Sequence, residues 1–504
     1  MYLKKALVTA VSAAVFLCMM FSSCASSDSY GDASSNQQYI ARMISTGDFT
    51  SAAEFAGREH RNKNEQIRQN LDLAMLQHYA GDYKNSSKLL NKTDMLMEKA
   101  YTKSVTKAMA AMIGNENAVQ YDGTVYEYIY INAFNALNYY NQNDIENALV
   151  EMRRFQNKQK EYLLKYGQAA AVRTAVDTGS DVSTNNAARF FGINMTSLQK
   201  KSPRPADSTD IFRDSALAEY VSVFLNILNG HEDEAAVSSR ALARINPSFP
   251  VSGEFGIPTD GSRIDVVAFS GLIGRRKEQV MYFPRDYIYG GVLGLAAGIS
   301  FTPDGQWLRM VMRLNDANGR PVTVDVPAFR FKFAFPAFDA RTSSGPADSV
   351  KIVFDDGTEQ KLSLLENFDV AAESDIAVKA ERAYARSVSR SLVKKMSAVT
   401  AGTAALAMLG GREGGNIGQQ ILYQLSYAAL VASIEAVDLT ETADVRQCSY
   451  LPKRADAGGV SVSPGTYSFT VQYYKGTQMT GQQRFENVRA EPGKAVLVES
   501  LCIR

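Results

Sequence analysis

The sequence predicts an α+β protein. Tetratricopeptide-like helical repeats come first, then a central β-rich domain, an Ala/Gly-rich helical hairpin and a small C-terminal β unit. Three observations carry this expectation. Gly47-Asp48-Phe49 and Gly81-Asp82-Tyr83 stand 34 residues apart between helical segments, which is the tetratricopeptide period. After Pro250 the texture changes to Gly-rich turns and β-branched runs. Two apolar stretches, Met396 to Gly411 and Ile421 to Val437, flank a Gly-rich link over 412–420.

The boundaries expected are a signal peptide over 1–23, a tether over 24–38 and helical repeats over 39–250 with a loop insertion at 167–214. A β-rich domain over 251–372, a helical segment over 373–442 and a small β unit over 443–504 follow. A length of 504 residues accommodates two or three folding units. With 45% hydrophobic and 21% charged residues, the chain can bury sizeable cores and is not disordered. Lys+Arg 54 against Asp+Glu 53 leaves no basic surplus for phosphates, so nucleic acid is excluded as a partner. A mean hydropathy of -0.19 excludes a polytopic membrane protein.

The N-terminus reads as an export label. Lys4 and Lys5 precede the apolar stretch Ala6 to Phe21, and Ser22-Ser23-Cys24 closes it. This layout resembles a bacterial lipoprotein signal, in which Cys24 is diacylated and becomes the mature N-terminus. An uncleaved anchor or a plain cleaved signal are the alternatives. The polar run from Ala25 to Gly31 is a tether suited to holding a domain off a membrane. With Cys18 removed and Cys24 lipidated, Cys448 and Cys502 remain, and an oxidising compartment favours a disulfide between them over two separately buried thiols.

The clearest helical pair runs from Thr124 to Tyr162. Tyr126, Ile129, Tyr130, Ala133, Leu137 and Tyr140 recur at helical spacing and must face a core. Asp144 caps the second helix, which turns Ala148, Met152 and Phe155 inward and sets Glu151, Arg154 and Lys158 on another side. A second stripe, Tyr128, Asn132, Asn135 and Tyr139, combines aromatics and amides as peptide-binding surfaces do. With Glu151 and Arg154 it forms the expected partner-binding surface; packing beneath the adjoining domain is the alternative. Another pair spans Ala216 to Ile245, with His231 in its turn and so at the surface. The Ser/Thr/Asn/Asp/Pro-rich insertion between Gly167 and Asp214 reads as a mobile loop or a lid.

Strands are expected at Arg263 to Phe269, Gln279 to Phe283, Leu308 to Leu314, Val322 to Val326 and Val350 to Phe354. Asn318-Gly319 and Asp356-Gly357 are hairpin turn pairs. Phe329, Phe331, Phe333, Phe335 and Phe338 read as a core face rather than a ligand platform. A helix over Ser374 to Lys395 ends in Arg382, Arg386, Arg390, Lys394 and Lys395, a solvated basic face or one attracted to anionic lipid or glycan. Sixteen apolar helical residues cover about 24 Å against a hydrocarbon core of about 30 Å, so a buried helical hairpin is expected over membrane insertion.

Tyr126-Glu127, Ala136-Leu137-Asn138-Tyr139 and Ala148-Leu149-Val150-Glu151-Met152-Arg153-Arg154 form one pattern, and Ala443 to Pro452 with Pro464-Gly465-Thr466-Tyr467 forms a second. Together they resemble a family of uncharacterised bacterial envelope lipoproteins with tetratricopeptide-like repeats. That family usually carries tryptophan at the place of Cys448. The resemblance implies an envelope protein whose partners are envelope proteins of the curli-secretion or penicillin-binding-protein-activator type, and it implies no reaction. No catalytic, cofactor-binding or metal-ligating set is assigned, because three histidines (His60, His78, His231) and four cysteines without C-x-x-C spacing supply little material. The function expected is a non-enzymatic, lipid-anchored scaffold. An accessory subunit of an outer-membrane secretion or cell-wall synthesis complex is the alternative, and an enzyme the third.

Overall fold

The computed structural model describes residues 30–58, 62–102, 117, 119–169, 181–203, 214–251, 261–283, 296–301, 307–342, 345, 347–410 and 416–503. The export label, Cys24 and His60 lie outside the described residues. The chain is α+β, with helices first and the strands largely after residue 261.

Helices α1 (Tyr30–Ser45) and α2 (Phe49–Arg58), α3 (Gln66–Tyr79) and α4 (Tyr83–Thr102), and α5 (Val125–Asn141) and α6 (Ile145–Ala169) form three hairpins. Two shorter helices, α7 (Val182–Phe191) and α8 (Met195–Gln199), precede a fourth hairpin of α9 (Ala216–Leu228) and α10 (Glu232–Ile245). All four hairpins turn alike. Gly47, Gly81, Asn143 and Gly230 take positive φ, and the next residue's N–H donates to the carbonyl five residues back, as Asp48 does to Met43 and Asp82 to Gln77. Asp48, Asp82 and Asp144 then cap the following helix, accepting from the N–H of Ser51, Asn85 and Asn147. Tyr30 to Gln38 is therefore helix rather than tether.

The insertion expected as loop holds α7 and α8. Asp181 and Asn194 are caps here, accepting from Thr184 N and from Thr196 N. Loop-like composition here marks helix starts.

Strands β1 (Ser262–Leu272), β2 (Arg275–Tyr282), β3 (Ala296–Phe301), β4 (Leu308–Asn315), β5 (Pro321–Phe329), β6 (Lys332–Asp339), β7 (Ser349–Phe354), β8 (Glu359–Lys361) and β9 (Ser363–Asn367) come next. The long helix α11 (Phe368–Met408) and α12 (Ile417–Thr440) separate them from β10 (Pro452–Val462), β11 (Gly465–Lys475), β12 (Gln478–Ala490) and β13 (Ala495–Cys502). The C-terminal strands do not form a unit of their own. One sheet has the order β13-β1-β10-β9 and a second β12-β11-β7-β8, so the tail completes sheets begun about one to two hundred residues earlier. Strand β1 runs antiparallel to β10 and parallel to β13. Two smaller sheets, β2-β6 and β3-β4-β5, stand beside them. Gly319 and Gly357 take positive φ in the hairpins their sequences announced.

The first sheet is a wall covered on both sides. Val267 and Phe269 of β1 and Leu497 of β13 face the helical hairpins, while Ile264, Val266 and Ala268 pack on Ile352, Phe469 and Val471 of the second sheet. Burial on both faces explains the nearly continuous apolar run of β1. A third core gathers Phe329, Phe331, Phe333 and Phe335 with Phe191 of α7 and the inner sides of α11 and α12. Helix α11 spans about 60 Å at 41 residues. Its Phe368, Ala371 and Ala372 belong to the first core and its Tyr384, Val388 and Leu392 to the third, so it ties them together. Its expected basic end is not a solvated face: Arg390 is buried with three contacts to Glu441, and Lys395 is buried against Asp438. Among the described residues, no helix is long and apolar enough to cross a membrane.

The expected Cys448–Cys502 bridge is not formed. Side chains alternate along β13, so Leu497 and Leu501 face the helices while Val496, Val498 and Cys502 face the second sheet. Cys448 lies in the helical core, and the sheet stands between the two sulfurs. Alkylation of the unreduced protein under denaturant is expected to modify both thiols, read as a mass increase of two adducts. A protected pair would contradict the sheet arrangement.

Candidate functional site

The cleft on the helical hairpins is built by three helices. On α6, Asn147, Val150, Glu151, Arg154, Asn157, Lys158 and Glu161 recur every three or four residues, so one face carries them all. Across from it α4 brings Asn91, Asp94, Met95 and Glu98, and α5 contributes Tyr128 and Tyr139. Together they enclose about 370 Å³. The lining mixes polar and apolar surface in about equal parts, and its buried charges are matched. The Lys158 ammonium pairs with Asp94 and lies 3.8 Å from the centre of the Tyr128 ring. Burial holds Lys158 below its ordinary value, against the opposing pull of Asp94. Burial likewise raises the Glu151 carboxyl, against hydrogen bonds from Asn132 Nδ2 at 2.6 Å and Arg154 at 3.1 Å.

The expected partner-binding residues divide here. Tyr128 and Tyr139 line the cleft half-buried, Glu151 is buried in its wall, and Arg154 stands at the rim with 52% of its side chain exposed. Asn132 and Asn135 are 0% exposed, so the stripe is not an open face. It points at α4 and α6: Asn132 donates to Glu151, and Asn135 donates to Asn91, which in turn donates to the Tyr139 hydroxyl at 3.0 Å. Asn91 and Asp94 escaped the sequence reading, because nothing in the spacing of α4 distinguishes a cleft wall from a solvated face.

A second polar assembly lies behind α5. Residues 443–451 are neither helix nor strand, yet their backbone groups are held from both sides. Glu127 closes a capping box with Thr124 and accepts from Tyr121 OH at 2.6 Å; its other oxygen accepts from Cys448 N. Ser449 N donates to Asp72 at 2.6 Å, and Tyr79 OH donates to the Tyr450 carbonyl at 2.8 Å. From the sheet side, Gln447 donates to the Gly274 carbonyl and accepts from Arg276 N, and Ile273 N donates to the Leu451 carbonyl. The two sequence patterns around Glu127 and Cys448 therefore meet in space. Their work is to join helices to sheet.

Among the described residues, no three His, Cys, Asp or Glu side chains are placed to hold a metal ion. The chain matches no family model, no curated protein and no solved structure.

His78 stands in the last turn of α3, and nothing in the sequence around it marks a buried polar role. Its Nδ1 meets Asn138 Oδ1 at 2.8 Å and its Nε2 meets Glu499 of β13 at 3.0 Å. Ser86 donates to the Ala74 carbonyl and so accepts from Asn138 Nδ2, which turns the amide oxygen toward the imidazole. Donation from both ring nitrogens, to the Asn138 oxygen and the Glu499 carboxylate, is the arrangement that favours the charged ring. Burial opposes that charge, but the Glu499 carboxylate with the two hydrogen bonds outweighs it and raises the His78 value.

Two outcomes are expected. Glu127→Ala leaves Cys448 N–H, Thr124 N–H and Tyr121 OH without their acceptor and lowers stability by about 3–5 kcal/mol in urea unfolding. A raised folded value means that the His78 contribution is fully present below about pH 6.5 and fades as pH rises through it. The stability advantage of wild type over His78→Gln, measured by urea unfolding at several pH values, is therefore largest near pH 6 and shrinks toward pH 9.

Proposed function

We propose that the chain is a non-enzymatic, lipid-anchored envelope scaffold whose helical hairpins present the cleft between α4, α5 and α6 to a protein partner. The cleft carries this reading. It combines half-buried tyrosines with amides and charges, the composition expected of a protein-recognition surface. The shared turn geometry of the four hairpins and the 34-residue spacing of the first two support tetratricopeptide-like repeats, which typically bind partners along one face. Ser22-Ser23-Cys24 supports anchoring through a diacylated Cys24, and the family resemblance supports envelope lipoproteins of the curli-secretion or penicillin-binding-protein-activator type as partners.

One observation favours the second reading, an accessory subunit whose hairpin touches a membrane. Ile417, Ile421 and Leu425 of α12 are 77%, 57% and 62% exposed, and they recur every four residues along one side.

The test is co-purification after gentle detergent extraction. Asn157 is an exposed rim residue, so Asn157→Trp plugs the cleft with a stability change within about 0.5 kcal/mol. A protein recovered with wild type and lost with Asn157→Trp is the expected result. Equal recovery would remove the cleft from the reading, and a tightly bound small molecule in place of a protein would favour an enzyme. For the anchor, Cys24→Ala is expected to shift the protein to the soluble fraction or leave an unprocessed precursor, read by fractionation and intact mass.

A further inference from the structure

We propose that Arg330, held against Tyr282 and Trp307 on the link between the two small sheets, is a docking point for a carboxylate side chain of a partner protein. This surface is separate from the cleft, and the inference goes beyond the reading given to it.

Strand β5 ends at Phe329 and β6 begins at Lys332, so residues 330–331 carry the chain from one small sheet to the other. Phe329 and Phe331 enter the third core, each 1% exposed, whereas Arg330 between them is half-buried at the surface. Each sheet supplies an aromatic neighbour. Leu308 pairs with Phe329, which brings Trp307 beside Arg330, and Tyr282 closes β2 opposite Lys332. The Arg330 Cζ lies 3.6 Å from the centre of the Tyr282 ring and 4.9 Å from that of Trp307. At the shorter distance the guanidinium can meet its ring only face-on, because edge-on its nitrogens would overlap the ring. Its N–H groups lie in the guanidinium plane and stay open to an acceptor.

What the arginine lacks is that acceptor. Among the described residues its guanidinium makes no hydrogen bond and no ion pair. Carboxylates of the neighbourhood are engaged: Asp438 pairs with Lys395 at 2.9 Å and Glu278 with Lys332 at 3.4 Å. Lys395 also donates to the Arg330 carbonyl from the buried side, so Arg330 stands over a second cation. An unpaired guanidinium held by its ring contacts selects an anion, and its planar fork matches the two oxygens of a carboxylate. A phosphate gathers donors from several groups, and here a single fork is open. The surroundings point to a protein as the carrier. Tyr282 is 44% exposed, Trp307 38%, and Val280, on the same face of β2 as Tyr282, 37%. Tryptophan, tyrosine and arginine are the residue types that dominate binding energy at protein interfaces.

Trp307 is the only tryptophan of the chain, so its emission reports directly on this site. The experiment titrates the full-length protein with a blocked pentapeptide carrying two glutamates and with the same peptide carrying glutamines instead. The glutamate peptide is expected to change the emission saturably, and the glutamine peptide to bind about tenfold more weakly or not at all. Arg330→Gln is expected to abolish that preference. Arg330→Lys keeps the charge but loses the fork and the stacking, and is expected to weaken glutamate binding about tenfold. Urea midpoints show whether both variants are folded; if either is not, the two peptides on wild type decide. Equal binding of the two peptides, no saturable change with either at millimolar concentration, or undiminished binding to Arg330→Gln would each overturn the proposal. So would inorganic phosphate or a uronic acid binding more tightly than the glutamate peptide, since the carrier would then not be a protein.

Discussion

The Glu127 carboxylate is the joint on which the arrangement of helices and sheets depends. One oxygen closes the start of α5 through Thr124 and Tyr121, and the other reaches Cys448, 321 residues later in the chain. The segment it grips belongs to no regular element, so its backbone polar groups must find partners elsewhere or carry the full penalty of burial. They find them on both sides. Asp72 and Tyr79 bind from the helices, while Arg276 of β2 and Ile273 and Gly274 of the β1–β2 link bind from the sheet side. Strand β10 begins directly after this segment and pairs along the whole of β1, so the position of the joint sets where the wall between the cores begins.

Other buried polar contacts cross the same boundary. His78 meets Glu499, Tyr220 meets Asp265, and Tyr130 and Ser215 both donate to Glu366 at 2.7 Å. Burial pushes Glu366 up to about 7, although three hydrogen bonds favour its anion. Contacts of this kind add little net stability over an apolar filling, since desolvation offsets most of the attraction. Their geometry is demanding, so each one rewards a single placement of the helices on the sheet. An apolar seam of the same area would tolerate sliding.

That fixed placement positions the cleft. Helix α5 buries Tyr126, Ile129, Tyr130, Ala133 and Leu137 in the first core, and its opposite stripe consequently turns toward α4 and α6. The cleft is thus a by-product of how α5 is seated. Its buried ion pair and amide pairs hold the three helices apart at a defined distance, where apolar side chains would close the gap.

Local chemistry was legible without a fold. The hairpin turns at Gly47 and Gly81 follow from glycine's access to positive φ, the cap of α6 from Asp144, and the core stripe of α5 from its period. The phenylalanines between 329 and 335 were readable as core for the same reason. Each of these properties is settled within a few residues of the position concerned. Long-range pairing was not legible. The tail strands look self-sufficient in sequence, yet β10 and β13 enclose β1, because hydrogen bonding between strands leaves no trace of the partner's identity in either one. The same gap misjudged Cys448 and Cys502: which side of a wall a thiol faces depends on a sheet that exists only after folding. It also misjudged Asn132, Asn135, Arg390 and Lys395, polar residues whose burial became affordable only once Glu151, Asn91, Glu441 and Asp438 arrived from other helices and the turn beyond. Sequence determines which groups seek partners; tertiary structure decides which partners are within 3 Å.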